Sequence, residues 1–238
     1  MEKLFDAFAL IFKADPELRG IIAVTLKMAF ASTAISALIG IPLGIYMGSR
    51  DFRAKKFFLR LTGTLMSLPP VVAGLVVFLL LSRSGPLGAF KLLYTVTAMV
   101  TAQVILITPL IAGMSASVVS ARAPLIIETA KGLGIGLARQ LWYVFYESKS
   151  SLLSVVLSGF GRAVAEVGAV SLVGGNIQNK TRVMTTAIML ETNMGRFEFA
   201  LALGVVLLTI AFVVNSIAYR IGERTQRKRR LKGDKKVD

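Results

Sequence analysis

The sequence predicts an all-α integral membrane protein: about five transmembrane helices, a short N-terminal amphipathic helix and one helical cytoplasmic loop. Three observations carry this. Hydrophobic residues make up 55% of the 238, more than a soluble chain of this size can cover with polar surface. They gather into blocks of about 20 residues or more, and 20 residues at 1.5 Å each cross a 30 Å hydrocarbon core. Four of the blocks carry no charge, although the chain as a whole has a net charge of +15.

In chain order, Met1–Phe12 mixes acids with apolar residues, and Leu4, Phe8, Ile11 and Phe12 share one helical face. It reads as an amphipathic helix at the membrane surface, not as a signal peptide. The spans follow as Met28–Gly48, Leu61–Ser82, Leu92–Ala121, Ser151–Val173 and Phe199–Tyr219. Pro42, Pro69–Pro70 and Pro109 lie inside three of them and predict kinks. Gly174-Gly175-Asn176 ends the fourth span, and Val183–Leu190 is too short to cross, so it reads as a re-entrant or surface helix on the outer side. Gly174, Gly175, Asn176 and Thr181 thereby mark an outer gate or re-entrant region. The organisation is an N-terminal amphipathic segment (1–19), a transmembrane domain (20–220) containing a cytoplasmic loop (121–150), and a basic tail (221–238).

Five spans put the two ends on opposite sides of the membrane. One side then holds 18 of the 28 basic residues, nine of them in the tail, and the other holds nine, with Arg162 inside a span. The richer side is cytoplasmic, which places the C-terminus and the 121–150 loop inside and the N-terminus outside. The tail reads as a topology anchor facing anionic lipid. Its bases are not interleaved with aromatics, so no nucleic-acid partner is expected.

Composition also excludes chemistry. There is no Cys and no His, hence no disulfide, no zinc site on those ligands and no nucleophile or base of those types. No catalytic residue and no metal site are expected. A G-x-x-x-x-G-K-[ST] phosphate loop is also missing, so any ATP chemistry would belong to another chain.

Within the cytoplasmic loop, Pro124 suits a helix start. Ile126, Ile127, Ala130, Leu133 and Leu137 recur at helical spacing, and Gly132, Gly134 and Gly136 break the helix before a second one over Leu137–Tyr146. Arg139, Trp142, Tyr143 and Phe145 suit either a protein interface or a loop lying on lipid headgroups.

Glu128-Thr129-Ala130, with Gly134 six residues after the Glu, resembles the E-A-A-x-x-x-G motif of ATP-binding-cassette importer permeases. Where that pattern continues I-x-L-P, this chain has Val144-Phe145-Tyr146-Glu147, so the proline is replaced. A longer resemblance covers Gly161–Ala169 (GRAVAEVGA), Gly174–Ile177 (GGNI) and Thr181–Ile188 (TRVMTTAI), similar to the fourth-span signature of oxyanion importer permeases. Ala165, Val167, Gln178 and Thr185 depart from the molybdate and sulfate branches. With the run TRVMTTAIMLETNMG they look more like the tungstate branch, and the resemblance covers about residues 20–220.

The resemblance implies a type I permease fold, working as a homodimer in the cytoplasmic membrane. Glu128, Thr129, Ala130 and Gly134 would form a coupling helix docked on a separate ATPase subunit, which carries the ATP and Mg. A binding protein outside would deliver tungstate, or alternatively molybdate or sulfate, and transport would proceed by alternating access. An ion-coupled secondary transporter is the rival from a different class; no internal repeat stands out in its favour.

Arg162 and Glu166 lie four apart and pair on one helical face. A charge inside a span costs about 2.5–3.5 kcal/mol on insertion scales. The pair is either a self-neutralising packing element or part of a moving gate. Thr62, Thr64, Ser67, Thr101 and Thr108 bear hydroxyls inside spans, and none is assigned as a ligand.

Overall fold

The computed structural model describes residues 15–234, with side chains described as far as residue 221. Among the described residues all regular structure is helical. The amphipathic helix expected over Met1–Phe12 lies outside the described residues, as do the side chains of the basic tail.

Helix α1 (Pro16–Ser49) begins twelve residues before the predicted span. The Asp15 carboxylate accepts from the Glu17 and Leu18 N–H groups at 2.9 and 3.1 Å, Pro16 holds the first helical position, and Glu17 favours the positive end of the dipole. The helix then runs through Pro42 without interruption.

The second predicted span is not one helix. It divides into α2 (Lys55–Met66) and α3 (Pro70–Leu81), bent by 95°. The reason is local: Pro69 is extended (φ −59°, ψ 128°) and Pro70 opens the next helix, so neither residue can continue the first. A 3₁₀ turn (Gly88–Phe90) leads to α4 (Val96–Ser120), which contains Pro109 without breaking. Pro42 and Pro109 therefore lie inside continuous helices, while Pro69–Pro70 makes a full break.

Helix α5 (Ala123–Gly132) lies in the predicted cytoplasmic loop. Helix α6 (Leu137–Val164) begins in that loop and continues into the fourth predicted span, so the short Leu137–Tyr146 helix is its first part. A bend of 57° separates α6 from α7 (Gly168–Gly174). Helices α8 (Met184–Asn193) and α9 (Phe197–Asp234) follow. In length and apolarity α1, α4 and α9 each suffice to cross a membrane, and the α2–α3 and α6–α7 pairs bring the number to five if each counts once.

Two compact units share these helices. Among the described residues, the first comprises residues 15–34, Leu68–Leu106 and Phe160–Val213. Its core buries Met28 and Ala29 of α1, Met99 and Ala102 of α4, Ala169 and Val173 of α7, and Met184 and Ala187 of α8. Within it α3 lies directly on α7: a Cβ on Gly74 would fall 2.6 Å from the Ala169 Cα, so only glycine permits the approach.

The second unit comprises Ile35–Ser67, Ile107–Gly159 and, among the described residues, 214–234. Here Gly40, Gly44 and Gly48 recur every fourth residue on α1 and face α4, where a Cβ on Gly44 would fall 2.5 Å from the Ser115 Cβ. This small-residue stripe lets the two backbones pack closely, which replaces the hydrophobic drive that lipid cannot supply. Ile45, Val119, Ala123, Ile127, Val144 and Leu152 form an apolar cluster joining α1, α4, α5 and α6.

Candidate functional site

Three segments hold the residues that the sequence singles out. The first is α5. Ala123, Ile127 and Ala130 point inward and are buried, while Leu125, Glu128 and Thr129 point outward. Gly134 ends the helix in the left-handed region (φ +67°). Its N–H donates to the Lys131 carbonyl and the Ile135 N–H to the Ala130 carbonyl, both at 2.9 Å, a Schellman closure that a side chain at 134 would strain. Spacing between Glu128 and Gly134 is thus one helical turn and its stop.

Arg122 braces the start of α5 on α6, donating to the Glu147 carbonyl at 2.8 Å and the Ser151 hydroxyl at 2.9 Å. The Gln140 amide donates to the Ile135 carbonyl at 2.6 Å. The result is a stiff hairpin with one uncovered face, on which Leu125 and Leu133 are 75% and 72% exposed. Trp142, Tyr143 and Tyr146 of α6 are exposed as well. Beside α5 lies a cavity of about 480 Å³ lined by Arg50, Lys55, Glu128 and Lys131 among others. At its edge the Asp51 carboxyl is held below the ordinary carboxylate range, first by its hydrogen bond from Lys55 and then by the charge of that ammonium.

The second segment is the break between α6 and α7. Arg162 Nη1 lies 2.7 Å from Glu166 Oε2, and the two side chains are unequal: 42% of the arginine is exposed but only 4% of the glutamate. Glu166 Oε1 accepts from the Ala169 N–H at 3.2 Å, at the start of α7. A broken helix leaves its last carbonyls poorly paired; the Ala163 carbonyl keeps one long bond, from the Glu166 N–H at 3.4 Å, and side chains supply the rest. The Gln103 amide of α4 donates to the Ala163 carbonyl at 2.8 Å, and its own oxygen accepts from the Ser32 hydroxyl of α1 at 2.6 Å. The Thr185 hydroxyl of α8 donates to the Glu166 carbonyl at 2.8 Å. Gln103 and Ser32 are wholly buried, and each such buried hydrogen bond contributes about 1 kcal/mol.

The third segment, residues 174–186, is tied down throughout. The Thr181 hydroxyl donates to the Gly174 carbonyl and accepts from the Ile177 N–H. The Thr186 hydroxyl donates to Asn176 Oδ1 at 2.9 Å, and the Met184 N–H to the Thr25 hydroxyl at 2.9 Å. Gly175 (φ +68°) could not carry a Cβ, which would fall 2.7 Å from the Tyr94 ring. Arg182 pairs with Glu17 at 3.2 Å.

Residues 40–227 match the family described as binding-protein-dependent transport system inner membrane component. The chain belongs to this family. The tungstate uptake system permease protein TupB of Peptoclostridium acidaminophilum is 43% identical to it over 217 residues, covering 91% of this chain and 95% of that protein. The protein of the same description from Campylobacter jejuni is 36% identical over 225 residues, covering 93% and 94%. A crystal structure of an amino acid ABC transporter with histidines shares the fold, with a TM-score of 0.65 at 18% identity over 91% of this chain and 98% of that one.

In this permease the predicted residues fall into place as follows. Glu128 and Thr129 stand on the open face of α5, Ala130 packs beneath them, and Gly134 closes the turn. Arg162 and Glu166 do pair, but across a helix break instead of along a continuous face. Gly174, Gly175, Asn176 and Thr181 share one hydrogen-bonded segment. Among the hydroxyls, those of Thr62, Thr64, Ser67 and Thr101 donate to carbonyls of their own helices, and that of Thr108 is buried without a partner. Sequence reasoning gave no role to Ser32 or Gln103, and singled out Thr185 only as a departure from the molybdate and sulfate pattern. Gln103 left one signal: it is the sole amide side chain between Leu92 and Ala121, and an amide in a span demands a partner as a charge does.

Proposed function

We propose that this permease moves tungstate into the cell by alternating access, as one of two copies working with a separate ATPase and an external binding protein. The observation that carries the reading is its 43% identity, across 91% of the chain, to a tungstate uptake system permease. The α5 hairpin is the ATPase docking element, and the side bearing it is cytoplasmic, in line with the excess of basic residues there. ATP and Mg belong to that partner.

The mechanics follow from how α5 is held. Its buried face is locked on α6 by Arg122 and by packing of Ile127 with Val144. A push on the open face cannot be absorbed by bending α5 alone. It is delivered to α6, one helix of 28 residues that ends at the 165–167 break. ATP shifts the equilibrium between inward-open and outward-open states only by its differential affinity for them, so the docking contact has to differ between the two.

Glu128→Lys tests this. It reverses one exposed charge and touches no buried contact, so membrane insertion should be normal. Co-purification of the ATPase and ATP-driven tungstate uptake should both fall. Normal assembly together with normal uptake would contradict the docking assignment.

A further inference from the structure

We propose that the break at residues 165–167 opens on the water-filled substrate path, and that Arg162 is the cation which a passing tetrahedral dianion touches there. This rests on the importer reading above. Arg162 lies deep in the span: going back along α6, the preceding charged residue is Lys149, thirteen residues or about 20 Å away. The two partners of the ion pair are treated differently. Glu166 is turned inward, with one oxygen on the arginine and the other on the Ala169 N–H. Arg162 bonds the glutamate through one nitrogen and is 42% exposed.

A guanidinium has five N–H donors, and hydrocarbon offers them no acceptor. The exposed side of Arg162 therefore faces water or another polar group inside the membrane. The break that follows agrees with this: Ala165 is exposed and Val167 is 37% exposed, so the exposed stretch around the break carries no bulky side chain at these positions. By contrast α9 exposes Leu208 and Phe212 at 71% and 73%, the large apolar groups expected against lipid. Glu166 partly discharges the arginine, which makes the anion contact weak enough to release its cargo, a requirement of any conducting site.

The chain contains no cysteine, so single thiols can be introduced without background. In the complete transporter in vesicles, Ala165→Cys and Val167→Cys should react with a membrane-impermeant cationic methanethiosulfonate. Their rates should differ between the nucleotide-free and ATP-trapped states, while Phe212→Cys should not react. Separately, Arg162→Gln/Glu166→Gln keeps a hydrogen-bonded pair but removes the charge. Loss of a charge-assisted contact should lower maximal tungstate uptake about tenfold or more, with the half-saturating concentration of loaded binding protein unchanged. Absence of labelling at both 165 and 167 in every state would overturn the open path, as burial against a second copy would produce. Wild-type turnover in the neutral pair would overturn the anion contact. Failure of the unmodified transporter to take up tungstate would instead refute the importer reading itself, whatever the labelling pattern.

Discussion

The two bends of this permease are made in opposite ways. The 95° bend between α2 and α3 is written into the covalent chain, where the tandem Pro69–Pro70 holds residue 69 extended and starts a new helix at residue 70, unlike the single Pro42 and Pro109 that lie inside continuous helices. The 57° bend between α6 and α7 contains no proline. It is held by Gln103 and Thr185 from neighbouring helices, which donate to the Ala163 and Glu166 carbonyls, and locally by the Glu166 carboxylate, which accepts from the Ala169 N–H. A bend of the first kind is permanent. One of the second kind depends on side-chain hydrogen bonds, and it is the one that carries the ion pair.

The comparison can be broken most severely where the products of the two bends meet. Gly74→Leu places a side chain where a Cβ already falls 2.6 Å from the Ala169 backbone, so α3 and α7 cannot both keep their positions. A loss of about 3 kcal/mol or more is expected, read as a collapse of monodisperse yield and of the thermal midpoint in detergent. Next comes Gln103→Leu, which leaves the Ala163 carbonyl only its long 3.4 Å bond from the Glu166 N–H and takes the acceptor from the Ser32 hydroxyl; it should cost about 1–2 kcal/mol. In hydrogen exchange it should accelerate residues 163–169 while leaving 67–72 unchanged; equal acceleration at both bends would erase the distinction. Thr185→Val keeps shape and removes one hydrogen bond, for about 1 kcal/mol and a smaller change in the same amides. Pro70→Ala sits at the other end of the scale. Pro69 still interrupts the chain and Ala suits a first helical position, so stability should move by less than about 1 kcal/mol.

The same contrast governs what could be read in advance. Features set by neighbours in sequence were legible: the apolar spans, the Pro69–Pro70 interruption, the Pro124 start and Gly134 stop of α5, and the pairing of Arg162 with Glu166. Asp15-Pro16-Glu17 was equally local, a complete helix start twelve residues before the predicted span, and it was passed over because charge at Lys27 marked the block's edge. Glu147 and Lys149 likewise suggested a loop boundary that α6 ignores, since charges on an exposed helical face need not end the helix. The break at 165–167 was not legible. It depends on Gln103 and Thr185, about 60 residues before and 20 after the carbonyls they hold, and periodicity carries no information about such partners.

ATP-driven uptake by the reconstituted system tests the central claim most directly. With the permease, its ATPase and its binding protein in proteoliposomes, tungstate should accumulate only when ATP and all three proteins are present, and imposed ion gradients should not replace ATP. Uptake by the permease alone under an ion gradient would make it a secondary transporter and contradict the account.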